Sequence, residues 1–175
     1  MKETDLLPDG GSDDLRQKVR AISNTETFAK LDSRNQRLLA FVAQWYTAKP
    51  GQKIFSKDDR PDAAYICVQG KACLTFLEEN GNQREISEVE PGRMIGDLAV
   101  IMNEPRQVNL IAKTEVTFLR IGAEEFRAVI ENDNTVLLSL LHTVAGHLNS
   151  VAGLMSRIDP QHIPDQDNDQ ETEGA

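Results

Sequence analysis

The sequence is poor in the residues that metal centres, disulfide frameworks and catalytic triads require. Its two cysteines, Cys67 and Cys73, match neither a CxxC pair nor a zinc spacing. Residues 50–121 contain no histidine, and His142 and His147 stand about 140° apart around a helix, so they cannot share a metal. No Ser-His-Asp or Cys-His set is present either. These absences predict a chain that has no metal site and is not an enzyme.

Long apolar runs and an excess of basic charge are also missing. No stretch approaches the length of a transmembrane helix, and the acidic, polar N-terminus is unlike a signal peptide. Of the net charge of −9, residues 1–14 carry −4 and residues 159–175 carry −6, which leaves residues 15–158 at about +1. We expect disordered acidic tails at 1–14 and 159–175, a domain at 15–158, no membrane segment, no nucleic-acid binding and a reduced cytoplasmic location.

Apolar spacing predicts helices on both sides of the centre of the chain. Residues 15–30 have helical spacing, and residues 34–46 follow Asp32-Ser33, a plausible N-cap. The apolar stripe of this second helix is Leu38, Leu39, Val42, Trp45 and Tyr46. Pro50-Gly51 ends the helical part, and helical spacing returns at 123–131 and 134–158.

The centre, about 50–121, alternates short apolar runs with turn residues. The predicted strands are Lys53–Ser56, Ala64–Val68, Ala72–Leu77, Glu85–Val89, Met94–Ile95, Gln107–Ala112 and Glu115–Ile121. Asn80-Gly81 is a strong hairpin signal. No helical run separates these strands except a few residues after Asp97, which excludes a parallel βαβ sheet. The predicted fold is mainly β with flanking α helices: an antiparallel β-roll of the jelly-roll, cupin-like type, with N-terminal helices and a long C-terminal helix.

The helix predicted at 134–158 carries an apolar stripe with the spacing of a coiled coil. The positions follow each other at alternating intervals of four and three: Leu137, Leu141, Val144, Leu148, Val151, Met155 and Ile158. Gly146 and Gly153 would let a second helix approach closely. We expect a parallel homodimer through 134–158; the alternative is that the stripe packs on its own domain.

The segment Ile95–Arg106 (IGDLAVIMNEPR) has the composition of a phosphate cradle. Gly96 lets the backbone approach an anion, and the N–H groups of Gly96, Leu98 and Ala99 can point at it. Arg106 can neutralise and fork the anion, and Asp97 can accept from a sugar hydroxyl. The alternative is an ordinary tight turn followed by a surface arginine.

The same segment resembles the phosphate-binding cassette of cyclic-nucleotide-binding domains, the type found in the catabolite activator protein and in the regulatory subunits of protein kinase A. The family pattern is roughly Phe-Gly-Glu-Leu-Ala-Leu, a spacer, and then Pro-Arg-Ala/Ser/Thr-Ala-Thr. The resemblance covers about 30–158, and the order of helices, roll and helices agrees with it. It implies cAMP or cGMP as ligand, with no further cofactor, and a regulatory or sensor function.

Two parts of the cassette depart from the family pattern. Asp97 stands where the family has a Glu that accepts from the ribose 2′-OH, and Asp is about 1.5 Å shorter. Gln107-Val108-Asn109 replaces small residues, although the Gln107 amide can still donate to the phosphate. The alternative function is a degenerate roll that binds no nucleotide and acts as a dimerisation or protein-interaction module.

The resemblance also implies how the ligand would be capped and read out. In the family the long C-terminal helix swings to cap the base, for which the candidates are Leu141, Val144 and Leu148. Family members that read DNA carry a helix-turn-helix after this helix, whereas residues 159–175 are acidic. Membership of, or partnership with, a larger transporter, channel or enzyme stays open.

Overall fold

The computed structural model describes residues 10–78 and 81–132, together with the single positions 138, 141 and 145. Residues 1–141 fall in one unit and residues 142–175 in a second. The helices are α1 (Gly10–Ser23), α2 (Ser33–Val42), α3 (Asp97–Met102) and α4 (Ala123–Asn132). The strands are β1 (Gln44–Ala48), β2 (Lys53–Phe55), β3 (Ala63–Gln69), β4 (Ala72–Leu77), β5 (Gln83–Val89), β6 (Met94–Ile95), β7 (Asn109–Ala112) and β8 (Val116–Gly122).

The strands form two four-stranded sheets, in the orders β1-β8-β3-β6 and β2-β7-β4-β5. Every recorded pairing is antiparallel, which confirms the predicted antiparallel β-roll with flanking helices. Within the described ranges, no helix combines the length and the apolar content needed to cross a bilayer.

The strands β3 and β8 build two cores because they are buried on both faces. Successive side chains of a strand point to opposite faces. Tyr65 and Phe118 therefore join the core between the sheets, while Ile66 and Leu119 join the core between the sheet and the helices. Phe126 of α4 completes the second core.

The N-terminal helix lies earlier in the chain than the spacing predicted. We predicted a tail up to residue 14 and a helix over 15–30, but α1 runs from Gly10 to Ser23, so 10–14 is helical. Asp14 is tied down by an ion pair with Lys18 and by the indole of Trp45, which donates to its carboxylate. Residues 24–31 form turns that bury Phe28 edge-to-face against Phe126, with ring centroids 5.8 Å apart. Residues 1–9 lie outside the described part.

The helix predicted over 34–46 is in fact a helix followed by a strand. Asp32 caps α2 as predicted, accepting from the Asn35 N–H at 2.8 Å, but the helix ends at Val42 because Ala43 is extended (φ −70°, ψ 147°). Trp45 and Tyr46 belong to β1, which pairs with β8. Pairing with β8 supplies backbone hydrogen bonds that a longer helix would have made internally.

The strands predicted within the roll are confirmed, some to the residue. Ala72–Leu77 and Met94–Ile95 have the predicted bounds, and the helix predicted at 123–131 is α4. The strands β4 and β5 pair as a hairpin, and Gly81 before β5 has φ 84°, while Asn80 lies outside the described residues. The helix predicted at 134–158 and the tail at 159–175 lie outside the described residues, apart from the helical positions 138, 141 and 145.

The turn between β3 and β4 depends on a glycine. A Cβ on Gly70 (φ +83°) would lie 2.2 Å from the Glu115 carbonyl oxygen and 2.8 Å from Val116 Cα. Gly51 has a similar φ of +81° but open space around it.

We expect Gly51→Ala to cost roughly 1–2 kcal/mol of unfolding free energy, from the left-handed backbone alone. Gly70→Ala should cost about 3 kcal/mol or more, because backbone atoms must also separate. Urea unfolding measures both, and equal losses would contradict the close-packing argument.

Candidate phosphate-binding site

A left-handed glycine turns the chain from β6 into α3. Gly96 has φ 83° and ψ 1°, a conformation that an L side chain rarely adopts. It is the N-cap of α3, and its carbonyl accepts from the Val100 N–H at 3.2 Å. The first N–H groups of a helix have no acceptor inside it, which is the property expected of the predicted cradle residues Leu98 and Ala99.

The return from α3 places Arg106 beside this turn. Asn103 ends the helix in a left-handed conformation (φ 54°). The backbone of Arg106 is then fixed on both sides, because its N–H donates to the Asp59 carbonyl at 2.9 Å and its carbonyl accepts from the Asp58 N–H at 2.8 Å. The loop between β2 and β3 therefore positions Arg106, ten residues after Gly96.

The Arg106 guanidinium lies inside the protein, and the residue is 2% exposed. Its Nη1 donates to the Gly96 carbonyl at 2.9 Å, and its Nη2 donates to the Ala63 carbonyl and to the Asp62 carboxylate. Its Cζ lies 4.4 Å from the centroid of the Phe55 ring, a cation–π contact. Arg106 is therefore a buried charge that several partners hold in place, unlike the surface arginine of the alternative interpretation.

One N–H donor of the Arg106 guanidinium has no acceptor among the described residues. The Nε atom is buried and has no hydrogen-bond partner among the described residues. Buried polar groups are nearly always paired, since an unpaired one costs about 1–3 kcal/mol. An acceptor supplied from outside the protein would remove this cost, and an anion would do so best.

Asp62 is shared between two arginines. Its Oδ1 accepts from Arg106 at 3.3 Å, and its Oδ2 accepts from Arg120 Nη2 at 2.8 Å. Partial burial raises the pKa of Asp62, but hydrogen bonds and attraction from Arg120 and then Arg106 outweigh it, so the pKa lies below its usual value. The carboxylate is therefore ionised at neutral pH and counters part of the Arg106 charge.

The structure brings some predicted site residues together and separates others. Gly96 contacts Arg106 directly, and Asp97, Leu98 and Ala99 form the first turn of the neighbouring helix. Gln107 is exposed, and its amide donates to the Pro105 carbonyl at 3.1 Å, not toward Arg106. Of the predicted capping residues, Leu141 is helical and 56% exposed, while 144 and 148 lie outside the described residues.

Three partners of Arg106 were absent from the sequence prediction. Asp62 lies between two predicted strands, Phe55 lies within the strand predicted at Lys53–Ser56, and the Ala63 carbonyl carries no side-chain signal at all. The one available hint was a carboxylate directly before the apolar run that forms β3. The contacts join positions about forty residues apart.

The described residues hold no group of three or more His, Cys, Asp or Glu that could bind a metal ion. Both cysteines are free and buried. Burial, and to a lesser degree Glu90, raise the pKa of the Cys67 thiol to about 11. The thiolate, which is the reactive form, is therefore scarce at neutral pH.

Comparison with known proteins identifies the family of this domain. The family model of the cyclic nucleotide-binding domain matches residues 46–133. The chain is 26% identical over 131 residues to a cAMP-dependent protein kinase regulatory subunit of Eremothecium gossypii, covering 73% of this chain and 28% of that one. It is 28% identical over 148 residues to a cGMP-dependent protein kinase of Plasmodium berghei, covering 85% of this chain and 16% of that one.

Solved structures show the same fold. The catabolite activator protein of Thermus thermophilus superposes with a TM-score of 0.68 at 21% identity, covering 75% of this chain and 62% of that one. With half of its length matched by the family model, this chain belongs to the cyclic nucleotide-binding domain family. It spans only 25% and 28% of the length of two regulatory subunits of cAMP-dependent protein kinases that match it.

Replacing Gly96 by alanine should displace the arginine. The new Cβ would lie 2.4 Å from Arg106 Nη1 and 3.3 Å from its Cζ. We expect Gly96→Ala to shift the Nε–H resonance of Arg106 in a ¹⁵N NMR spectrum, and to cost roughly 1–2 kcal/mol of stability from the left-handed φ.

The matched control is Gly81→Ala, which has the same sign of φ (+84°) and no neighbour within 4 Å. Both variants should lose a similar amount of stability from the left-handed φ, but only Gly96→Ala should move the Arg106 resonance. An unmoved resonance would show that the guanidinium does not rest on this turn.

Proposed function

We propose that this domain binds a cyclic nucleotide, cAMP or cGMP, with its phosphate between the Gly96 turn and Arg106. The observation that carries the proposal is the buried, unpartnered Nε of Arg106 next to a left-handed glycine. An equatorial phosphate oxygen is the kind of acceptor that this donor lacks. The N–H groups of Leu98 and Ala99 and the Asp97 carboxylate for the ribose complete the proposed ligand set. The Gln107 amide would join this set only by leaving the Pro105 carbonyl.

Binding in this proposal is an exchange of partners at a buried charge. Arg106 is held by two carbonyls and by the half-exposed Asp62 carboxylate, which also accepts from Arg120. A phosphate offers full charge and shorter hydrogen bonds. Only the difference between the two sets of bonds contributes to affinity.

The proposed readout is a shift in the position of the C-terminal helix. A ligand favours the helix position that completes its pocket, and it moves the equilibrium only by its difference in affinity for the two positions. Leu141, Val144 and Leu148 are the proposed capping residues. A homodimer through 134–158 remains part of the proposal, resting on the apolar spacing of that segment.

We expect the domain to regulate rather than catalyse, needing no cofactor, and to act in the cytoplasm. Its relatives include regulatory subunits, a kinase and phospholipase-domain proteins, all longer than this chain. The proposal therefore extends to a domain that belongs to, or controls, a larger enzyme, channel or transporter.

A second candidate is a roll that binds no nucleotide and acts as an interaction module. It is favoured by the three acceptors within the protein that already hold Arg106 and by the outward position of Gln107. Calorimetry with cAMP and with cGMP separates the candidates, because this second one predicts no heat from either nucleotide.

Changing Arg106 tests the proposed phosphate contact. Arg106→Lys keeps the charge but loses the planar fork, and we expect it to weaken nucleotide binding at least tenfold. Arg106→Gln should abolish most binding, because it removes the charge. Isothermal titration with cAMP and cGMP gives both affinities.

Thermal melting must accompany this test, since either change removes the two donors that now serve the Gly96 and Ala63 carbonyls. The control is Arg60→Gln, an exposed arginine of the neighbouring loop, which should keep the wild-type affinity. Folded Arg106 variants with unchanged affinity would refute the proposed phosphate contact.

Lengthening Asp97 tests the proposed ribose contact. If Asp97 reaches the sugar hydroxyl imperfectly, Asp97→Glu should improve binding by about 1.5–3 kcal/mol, roughly 10- to 100-fold. Asp97→Asn, which keeps the length but loses the charge, should weaken binding. The same titrations decide, and equal affinities for all three proteins would mean that this carboxylate does not touch the sugar.

A further inference from the structure

The outer surface of α1 and α2 contains two adjoining grooves. The first, about 450 Å³, is lined by Ser12, Leu15, Arg16, Val19, Arg20 and Arg37. The second, about 440 Å³, is lined by Leu15, Ser33, Arg34, Arg37, Leu38 and Phe41. They share Leu15 and Arg37, so together they form one concave surface, here called the α1–α2 groove.

Four arginines surround the α1–α2 groove: Arg16, Arg20, Arg34 and Arg37, all exposed. Among the residues that the structure describes, no carboxylate lies within ion-pair distance of any of them. The acids nearest in sequence have other partners: Asp14 pairs with Lys18, Asp13 accepts from the Gln17 amide, and Asp32 accepts from Asn35 at the start of α2. A chain of net charge −9 thus presents on one face four guanidinium groups that have no ion-pair partner among the described residues.

The α1–α2 groove also exposes large apolar side chains. Phe41 is 79% exposed and Leu38 is 53% exposed. Phe41 and Val42 follow Leu38 by three and four positions, so all three side chains lie on one face of α2. Leu15 and Val19 of α1 are half-buried and form the apolar base, where they pack against the core below the helices. Exposed aromatic residues beside arginines are typical of protein interfaces.

We propose that the α1–α2 groove binds an acidic, amphipathic segment of a partner protein. Apolar side chains of the segment would fill the groove beside Leu38 and Phe41, and its Asp and Glu side chains would pair with the four arginines. A guanidinium matches a carboxylate with two parallel hydrogen bonds. The two parts of the α1–α2 groove can each accept a protruding side chain of a peptide. A membrane surface has no such protrusions, so a peptide is the better fit. The α2 helix is about 15 Å long, so about ten helical residues would cover it.

The test uses a fluorescein-labelled peptide with Leu and Glu at helical spacing, and a second peptide in which Gln replaces every Glu. We expect saturable binding of the acidic peptide in fluorescence anisotropy, weakening as salt rises. The Gln peptide should bind at least tenfold more weakly. The double variant Arg34→Gln/Arg37→Gln and the single variant Phe41→Ser should each reduce affinity for the acidic peptide at least tenfold.

The matched control removes the same kinds of side chain from another face. Arg84 and Ile86 lie exposed on β5, in the other sheet, and Ile86 is 52% exposed. Arg84→Gln/Ile86→Ser should bind the acidic peptide like the wild type. All variants change exposed residues, and their circular dichroism and melting temperatures should match the wild type.

Three results would overturn this proposal. One is the absence of saturable binding of the acidic peptide, or equal binding by the groove variants and the wild type. Another is binding to phosphatidylserine vesicles, but not to the peptide, that Phe41→Ser abolishes, which indicates a membrane surface. The third is self-association in sedimentation that Phe41→Ser abolishes, which indicates a second copy. Nucleotide calorimetry on the groove variants keeps this proposal separate from the ligand site, with which the groove shares no residue.

Discussion

A single buried charge imposes the geometry of the half of the roll that carries the candidate site. The Arg106 guanidinium joins the Gly96 turn, the first residue of β3 and the Phe55 ring of β2. Burying an unpaired charge is far too costly to tolerate. The loop before β3, the turn before α3 and strand β2 must therefore hold fixed positions relative to each other. Asp62 extends this constraint to Arg120 in β8.

Most of the roll could be predicted because its signals are local. The runs that became β4 and β6 were bounded by turn residues, and the antiparallel order followed from the lack of crossover helices. Trp45 and Tyr46 were placed wrongly in a helix because they continue the helical spacing of Leu38 and Val42. They form a strand because they pair with β8, which is distant in the sequence. Leu38 and Val42 are exposed and do not form the apolar stripe of a core helix.

The residues of the candidate site likewise fall into two groups, those that local sequence indicates and those that only the fold brings together. Gly96, Asp97 and Arg106 belong to one continuous segment, so their spacing alone indicated a cradle. Phe55, Asp62 and Ala63 reach Arg106 through folding, and a backbone carbonyl can come from any residue type. Gln107 was expected to face the ligand, but its amide bonds to the carbonyl two residues earlier. Side-chain direction after a proline is decided by local hydrogen bonding that composition does not encode.

The two thiols have a practical consequence for following this molecule in solution. Cys67 lies in β3 and Cys73 in β4, one in each sheet, and they are 1% and 7% exposed. Cys67 belongs to the core between the sheets, so an alkylating reagent reaches its sulfur only when the sheets part. Cys73 lies on the outer face of its sheet beside Glu85, Lys113 and Glu88, where movement of exposed side chains is enough to admit the reagent. The alkylation rate of Cys67, compared by peptide mapping with that of Cys73, would therefore report the opening of the core without any added label.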